Sequence, residues 1–166
     1  MSGIKRLRLL RGIDMTGRDL ELLMSQVAQH VSGRPRVNVR LWEPVTSYAK
    51  AELSRSPTGT AEIRINPALS YPEIYKSLCH EIGHLVYDWP VIRPSAFHLS
   101  EPDSVDDSDQ ARAARRASPM ETRADAFSEK LAAFGKTASY DIYIEGGLPP
   151  IVSWLKGLLT YPPPRV

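Results

Sequence analysis

The chain has 166 residues, 42% of them apolar, which is enough for one buried core and short for two, so a single domain over residues 1–166 is expected. Its net charge of +2 is the small difference between 21 basic and 19 acidic side chains, a balance that selects neither nucleic acid nor a membrane as partner. Cys79 is the one cysteine, which excludes an intramolecular disulfide, and with no signal-peptide pattern and no run near about 20 apolar residues the expectation is a soluble cytoplasmic protein.

Ile4 to Leu10 alternates apolar and basic residues as a short strand, although Leu9 and Leu10 break the pattern. Thr16 is placed to cap an amphipathic helix that carries Leu20, Leu23, Met24, Val27 and Val31 and ends near Ser32 and Gly33. Val37, Val39 and Leu41 alternate with polar residues as the first clear strand. Val45 to Leu53 is a weaker second strand, and Ser56, Pro57, Thr58 and Gly59 make a turn. Ala61, Ile63 and Ile65 then alternate with Glu62, Arg64 and Asn66 as a third strand.

Ser70 and Glu73 bracket Tyr71 and Pro72 as a capping box with proline in the first turn. Ile74, Leu78, Ile82, Leu85 and Trp89 follow at helical spacing, so a helix is predicted over residues 71 to 88. On it His80, Glu81 and His84 read H-E-I-G-H. Two histidines four apart project from one helix face, where both rings can reach a single zinc ion, while the adjacent glutamate addresses a water activated there. Gly83 costs the helix about 1 kcal/mol relative to alanine, which makes sense if something approaches the backbone beside the metal. Cys79 reads as a small hydrophobe on the inner side of the same helix.

Beyond the motif, Glu101, Asp103, Asp106, Asp107 and Asp109 run into Arg112, Arg115 and Arg116, read as solvated faces. Ser118, Pro119 and Glu121 form a second capping box. Near the end, Ile151 to Leu159 is a short apolar helix with Trp154 buried, and Pro162 to Pro164 a frayed end. Nothing repeats internally.

A catalytic zinc site keeps three protein ligands, so a third donor must lie outside the motif helix. Helical spacing puts Glu121 and Asp125 on one face, where Glu121 could complete the metal shell and Asp125 accept the free ring N–H of a ligand histidine. Equally, Glu121 could bond only the backbone at the helix start, and Asp125 could be a plain surface residue. His98, fourteen residues after His84, is the main rival ligand, with Asp106 and Asp107 more remote. The metzincin spacing is excluded, because Tyr87 and Pro90 stand where that class needs glycine and histidine. The fold class expected is α+β and zincin-like, a small and mostly antiparallel sheet packed on helices that include the H-E-x-x-H helix, with its core at roughly residues 15–135. Ala61 to Ile65 is either the edge strand to which a substrate peptide would add or an ordinary strand inside the sheet.

H-E-I-G-H preceded by A-E-I-R-I-N, and followed after 36 intervening residues by E-T-R-A-D-A-F-S, resembles the ImmA/IrrE family of zinc metallopeptidases. Glu121, Ala124 and Phe127 match the family's second segment, whereas Asp125 and Ser128 stand where asparagine and alanine are usual. The resemblance covers roughly residues 60 to 132. It implies a cytoplasmic peptidase of bacteria, phages or mobile elements that inactivates a protein partner, a repressor of the helix-turn-helix kind, by cleaving it. In that chemistry Glu81 takes a proton from the attacking water and returns it to the leaving amine, and Tyr48, His98, Tyr140 or Tyr143 is the second oxyanion donor. Two alternatives remain: a SprT-like protease of DNA-attached proteins, with His98 as third ligand and the Arg112, Arg115, Arg116 cluster on phosphates, or a non-catalytic binding module using an edge strand or the Tyr161 to Pro164 segment.

Overall fold

The computed structural model describes residues 17–42, 50–91, 97–99, 119–139 and 150–162. Four helices and a small mixed sheet account for them: α1 (Gly17–Ser32), β1 (Val37–Arg40), β2 (Ala51–Arg55), β3 (Ala61–Ile65), α2 (Tyr71–Tyr87), β4 (Phe97–Leu99), α3 (Pro119–Ala138) and α4 (Pro150–Leu158), with one turn of 3-10 helix at Trp89–Val91. The α+β class is as expected. The strand expected at Ile4 to Leu10, the Thr16 cap and the acidic and basic stretches between Glu101 and Arg116 lie outside the described residues.

The sheet order is β1-β3-β2-β4. A turn in which the Gly59 N–H donates to the Ser56 carbonyl closes β2 and β3 into an antiparallel hairpin, and Gly59 takes the positive φ of 86° that this turn requires. β4 pairs antiparallel with β2, and β1 runs parallel to β3. Ala61 to Ile65 is therefore not an edge strand: β3 is hydrogen-bonded on both sides. Its alternating burial reports which face meets the core and carries no information about neighbours.

β1 forms one margin of the sheet, and α1 closes it. Glu21, Ser25 and Gln29, spaced four apart, turn one helix face toward the strand. The Leu41 N–H donates to Glu21 Oε2 at 2.9 Å and the Val39 N–H to Ser25 Oγ at 2.8 Å, while Gln29 Nε2 donates to the Val37 carbonyl at 2.9 Å. Main-chain groups that an added strand would use are thus taken by side chains. β4 is the other outer strand among the described residues.

Val37, Val39, Leu41, Ala51, Leu53, Ala61, Ile63 and Ile65 meet Leu20, Met24, Val27 and Val31 of α1 and Ile74, Leu78, Ile82 and Leu85 of α2 in one buried cluster. α2 starts as predicted: Ser70 Oγ accepts from the Glu73 N–H and donates to the Glu73 carboxylate at 3.0 Å, with Pro72 in the first turn. Its other flank receives α3, and α4 closes over α3. Two close approaches set how α3 lies. At one end the Tyr75 hydroxyl donates to the Ala132 carbonyl at 2.8 Å, and a Cβ on Gly135 would strike that hydroxyl and Leu158 of α4. At the other, a Cβ on Gly83 would lie 3.0 Å from the Ala124 carbonyl oxygen and 3.1 Å from its Cα. Trp154, expected in the core, is only half-buried; it packs on Tyr75 with its ring centroid 5.1 Å away and carries Lys136 on its ring. Among the described residues no helix is long and apolar enough to cross a membrane.

Candidate metal centre

The Gly83 contact decides what faces the motif. Ala124 stands between Glu121 and Asp125, so α3 can bring both carboxylates over the histidines only because Gly83 has no side chain. The glutamate lands between the rings: His80 Nε2 is 3.0 Å from Glu121 Oε2, and His84 Nε2 is 3.2 Å from Oε1. One donor atom of each of His80, His84 and Glu121 lies within 4.8 Å of the others, and the two Nε2 atoms are 3.1 Å apart. Both carboxylate oxygens reach the rings, so whatever Glu121 bonds at the helix start it does more than cap it.

The rings are oriented from behind. His80 Nδ1 lies 2.9 Å from Asp125 Oδ1, so the structure brings that aspartate to the first motif histidine. His84 Nδ1 lies 2.8 Å from Asp88 Oδ2, and Arg123 donates to Asp88 Oδ1 at 3.0 Å. With each Nδ1–H donating to a carboxylate, a neutral ring has its lone pair at Nε2, on the side where the donors converge. Asp88 and Arg123 were missed by sequence reasoning. The signal for Asp88 was present, since it follows His84 by four as Asp125 follows Glu121; Arg123 gave none.

Electrostatics mark the same place. Burial alone would lower the pKa of His80, but a hydrogen bond to Glu121 and the charges of Glu81, Glu121 and Asp125 outweigh it and push the ring up to about 9. His84 is likewise raised against its burial, by Glu121, Glu81 and Asp88. Glu81 is fully buried, and neither of its carboxylate oxygens has a hydrogen-bond partner among the described residues. Cys79, beside His80 in sequence, is buried, and loss of solvation pushes its thiol up to about 12, so it is a packing residue rather than a thiolate donor. The arrangement of two imidazoles and one carboxylate could hold a metal ion.

His98 has its backbone in β4, and its side chain lies outside the described residues, as do Asp106, Asp107, Tyr48, Tyr140 and Tyr143. No family model matches the chain, and no curated protein or solved structure matches it either.

Proposed function

We propose that the chain is a zinc-dependent endopeptidase with Glu81 as general base. The observation that carries this reading is the Glu81 carboxylate, fully buried, without a hydrogen-bond partner among the described residues, and close enough to raise the pKa of both histidines. Leaving even a neutral buried group unsatisfied costs about 1–3 kcal/mol, and a charged one more. A metal site with only a structural role has no use for such a group; a hydrolase does.

Two imidazoles and one carboxylate, with a fourth position left to water or substrate, form a donor set that suits catalytic zinc. Zinc held there would supply Lewis acidity, bringing the pKa of a water toward neutrality and polarising a peptide carbonyl. His80, His84 and Glu121 are the residues that would hold it. Asp125 and Asp88 keep the rings in the tautomer that binds. Glu81 accepts the proton of the attacking water and delivers it to the amine nitrogen as the peptide bond breaks. With β1 closed by α1 and β3 inside the sheet, β4 is the strand to which an extended substrate would add. The ImmA/IrrE resemblance suggests a helix-turn-helix repressor as that substrate, in the cytoplasm of a bacterium. Glu121 beside both Nε2 atoms supports this reading over the SprT-like one, which needs His98 as third ligand.

The test is zinc per chain together with cleavage of a proteome-derived peptide library, followed by mass spectrometry, for wild type and Glu81→Gln. About one zinc in each protein is expected, with cleaved bonds that disappear in the variant as the roughly 100- to 10,000-fold contribution of a general base is lost. A zinc-loaded wild type without Glu81-dependent cleavage would overturn the proposal.

A further inference from the structure

Asp88 and Arg123 lie outside the donor set; the reading above gives Asp88 the tautomer of His84 to hold and gives Arg123, which binds Asp88, no part. Their geometry is nonetheless closely specified. Asp88 follows the last turn of α2, where its backbone N–H donates to the His84 carbonyl at 2.8 Å and its Oδ2 lies 2.8 Å from Nδ1 of the same histidine. Main chain and side chain both bind it to His84. Arg123 reaches it from α3, 35 residues further on, with a bond of 3.0 Å to the other carboxylate oxygen.

The two supporting aspartates differ in one respect that decides what Arg123 is for. Asp125, which supports His80, is 55% exposed, so water solvates its charge. Asp88, which supports His84, is 1% exposed. When His84 is neutral, as metal coordination requires, the partner it offers this deeply buried carboxylate is an uncharged N–H, and burial of an ion without a countercharge beside it is heavily penalised; among the described residues Arg123 is the cation bonded to it. The Arg123 guanidinium supplies that countercharge through a charge-assisted hydrogen bond.

We propose that Asp88 and Arg123 are a positioning pair for metal binding: Asp88 holds His84 with Nε2 toward the ion, and Arg123 holds Asp88 in place, latching the end of α2 to α3. The inference rests on the metal centre of the proposed function and not on its peptidase activity. Among the described residues Arg123 reaches the centre through Asp88.

The test is the zinc dissociation constant of the full chain, measured by competition with a chelator at one pH, together with the melting temperature of the metal-free protein. Asp88→Asn is expected to weaken zinc binding about 10- to 100-fold, the range found for groups that support metal ligands, and Arg123→Met about 10-fold. Arg123→Lys restores part of the loss by returning the charge. The double variant Asp88→Asn/Arg123→Met binds no more weakly than Asp88→Asn alone, because the arginine has lost the group it acts on. Should Asp88→Asn fail to fold, the Arg123 variants, at an exposed side chain, carry the test. Wild-type affinity in Arg123→Met, or a loss that falls only on the melting temperature, overturns the pair; so does a full additional loss in the double variant. A wild type that binds no zinc removes the pair and the metal centre together. Zinc binding that responds to Arg123 in a protein that cleaves nothing supports the pair and removes only the peptidase reading.

Discussion

Four carboxylates surround two histidines here, and they divide their work by burial. Glu121 faces both Nε2 atoms, Asp125 and Asp88 face the two Nδ1 atoms, and Glu81 is buried among them without a hydrogen-bond partner among the described residues. The first of these roles makes a sharp prediction. Glu121→Ala removes a group 3.0 and 3.2 Å from the ring nitrogens. Metal content measured by atomic emission is expected to fall from about one ion per chain to near none, as a site reduced to two protein ligands no longer holds zinc against buffer. Full retention would transfer the third position to another donor, His98 first. Much of this site was legible because helical geometry turns spacing into proximity: residues four apart share a face, which identified His80 with His84 and Glu121 with Asp125. Asp88 obeys the same rule and was available to it. Arg123 was not, since its partner lies on another helix and nothing in an isolated sequence fixes how two helices are rotated against each other.

Helix contact is what converts two motifs into one site. Gly83 breaks the helix-propensity rule inside α2, and Ala124 is the group that gains from it, its carbonyl oxygen standing where a Cβ would make a contact of 3.0 Å. Gly83→Ala therefore pits two effects against each other. The substitution gains about 1 kcal/mol of helix propensity, whereas forcing backbone away from backbone in a packed interface costs about 1–3 kcal/mol. The clash is with main chain, which cannot swing aside as a flexible side chain can, so packing is expected to win. The metal-free protein should melt at a lower temperature than wild type, and zinc affinity should fall further than stability, because displacement of α3 moves Glu121 and Asp125 together. A variant that melts higher and binds zinc as wild type does would show that the helices have slack at this crossing. That something comes close to the helix at this glycine was legible in the sequence; the identity of the approaching atom was not. The same limit explains why the sequence left open whether Ala61 to Ile65 lies at the edge of the sheet or inside it. Alternation in Ala61 to Ile65 correctly gave a strand with one buried face, but its position between β1 and β2 follows from pairings across the chain that alternation does not encode.

Across the whole molecule, one apolar cluster joins the sheet to α1, α2 and the inner faces of α3 and α4, and the polar centre is held at its margin between α2 and α3. The scaffold is thereby linked to whatever the centre binds, protons included. Without a metal, the rings retain protons well above the usual range: for His80 burial opposes the charge, but Glu121, Glu81 and Asp125 prevail and the pKa reaches about 9, with His84 also raised. A folded-state value above the ordinary histidine value of about 6.5 means that the charged rings stabilise the fold fully below that pH. The contribution is lost as pH rises through about 9. Coordination demands the opposite protonation state. Zinc must displace these protons at lower pH and meets less competition as pH climbs toward that value. Stabilisation by a bound ion grows with its affinity, so the increase in melting temperature on adding a slight excess of zinc to chelator-treated protein should be small at about pH 6 and largest near about pH 9. The melting temperature of the metal-free protein should move the other way over the same interval, as the imidazolium contribution disappears. Both curves come from one series of thermal melts, and an equal zinc effect at the two ends would mean that His80 and His84 are not the groups that bind it.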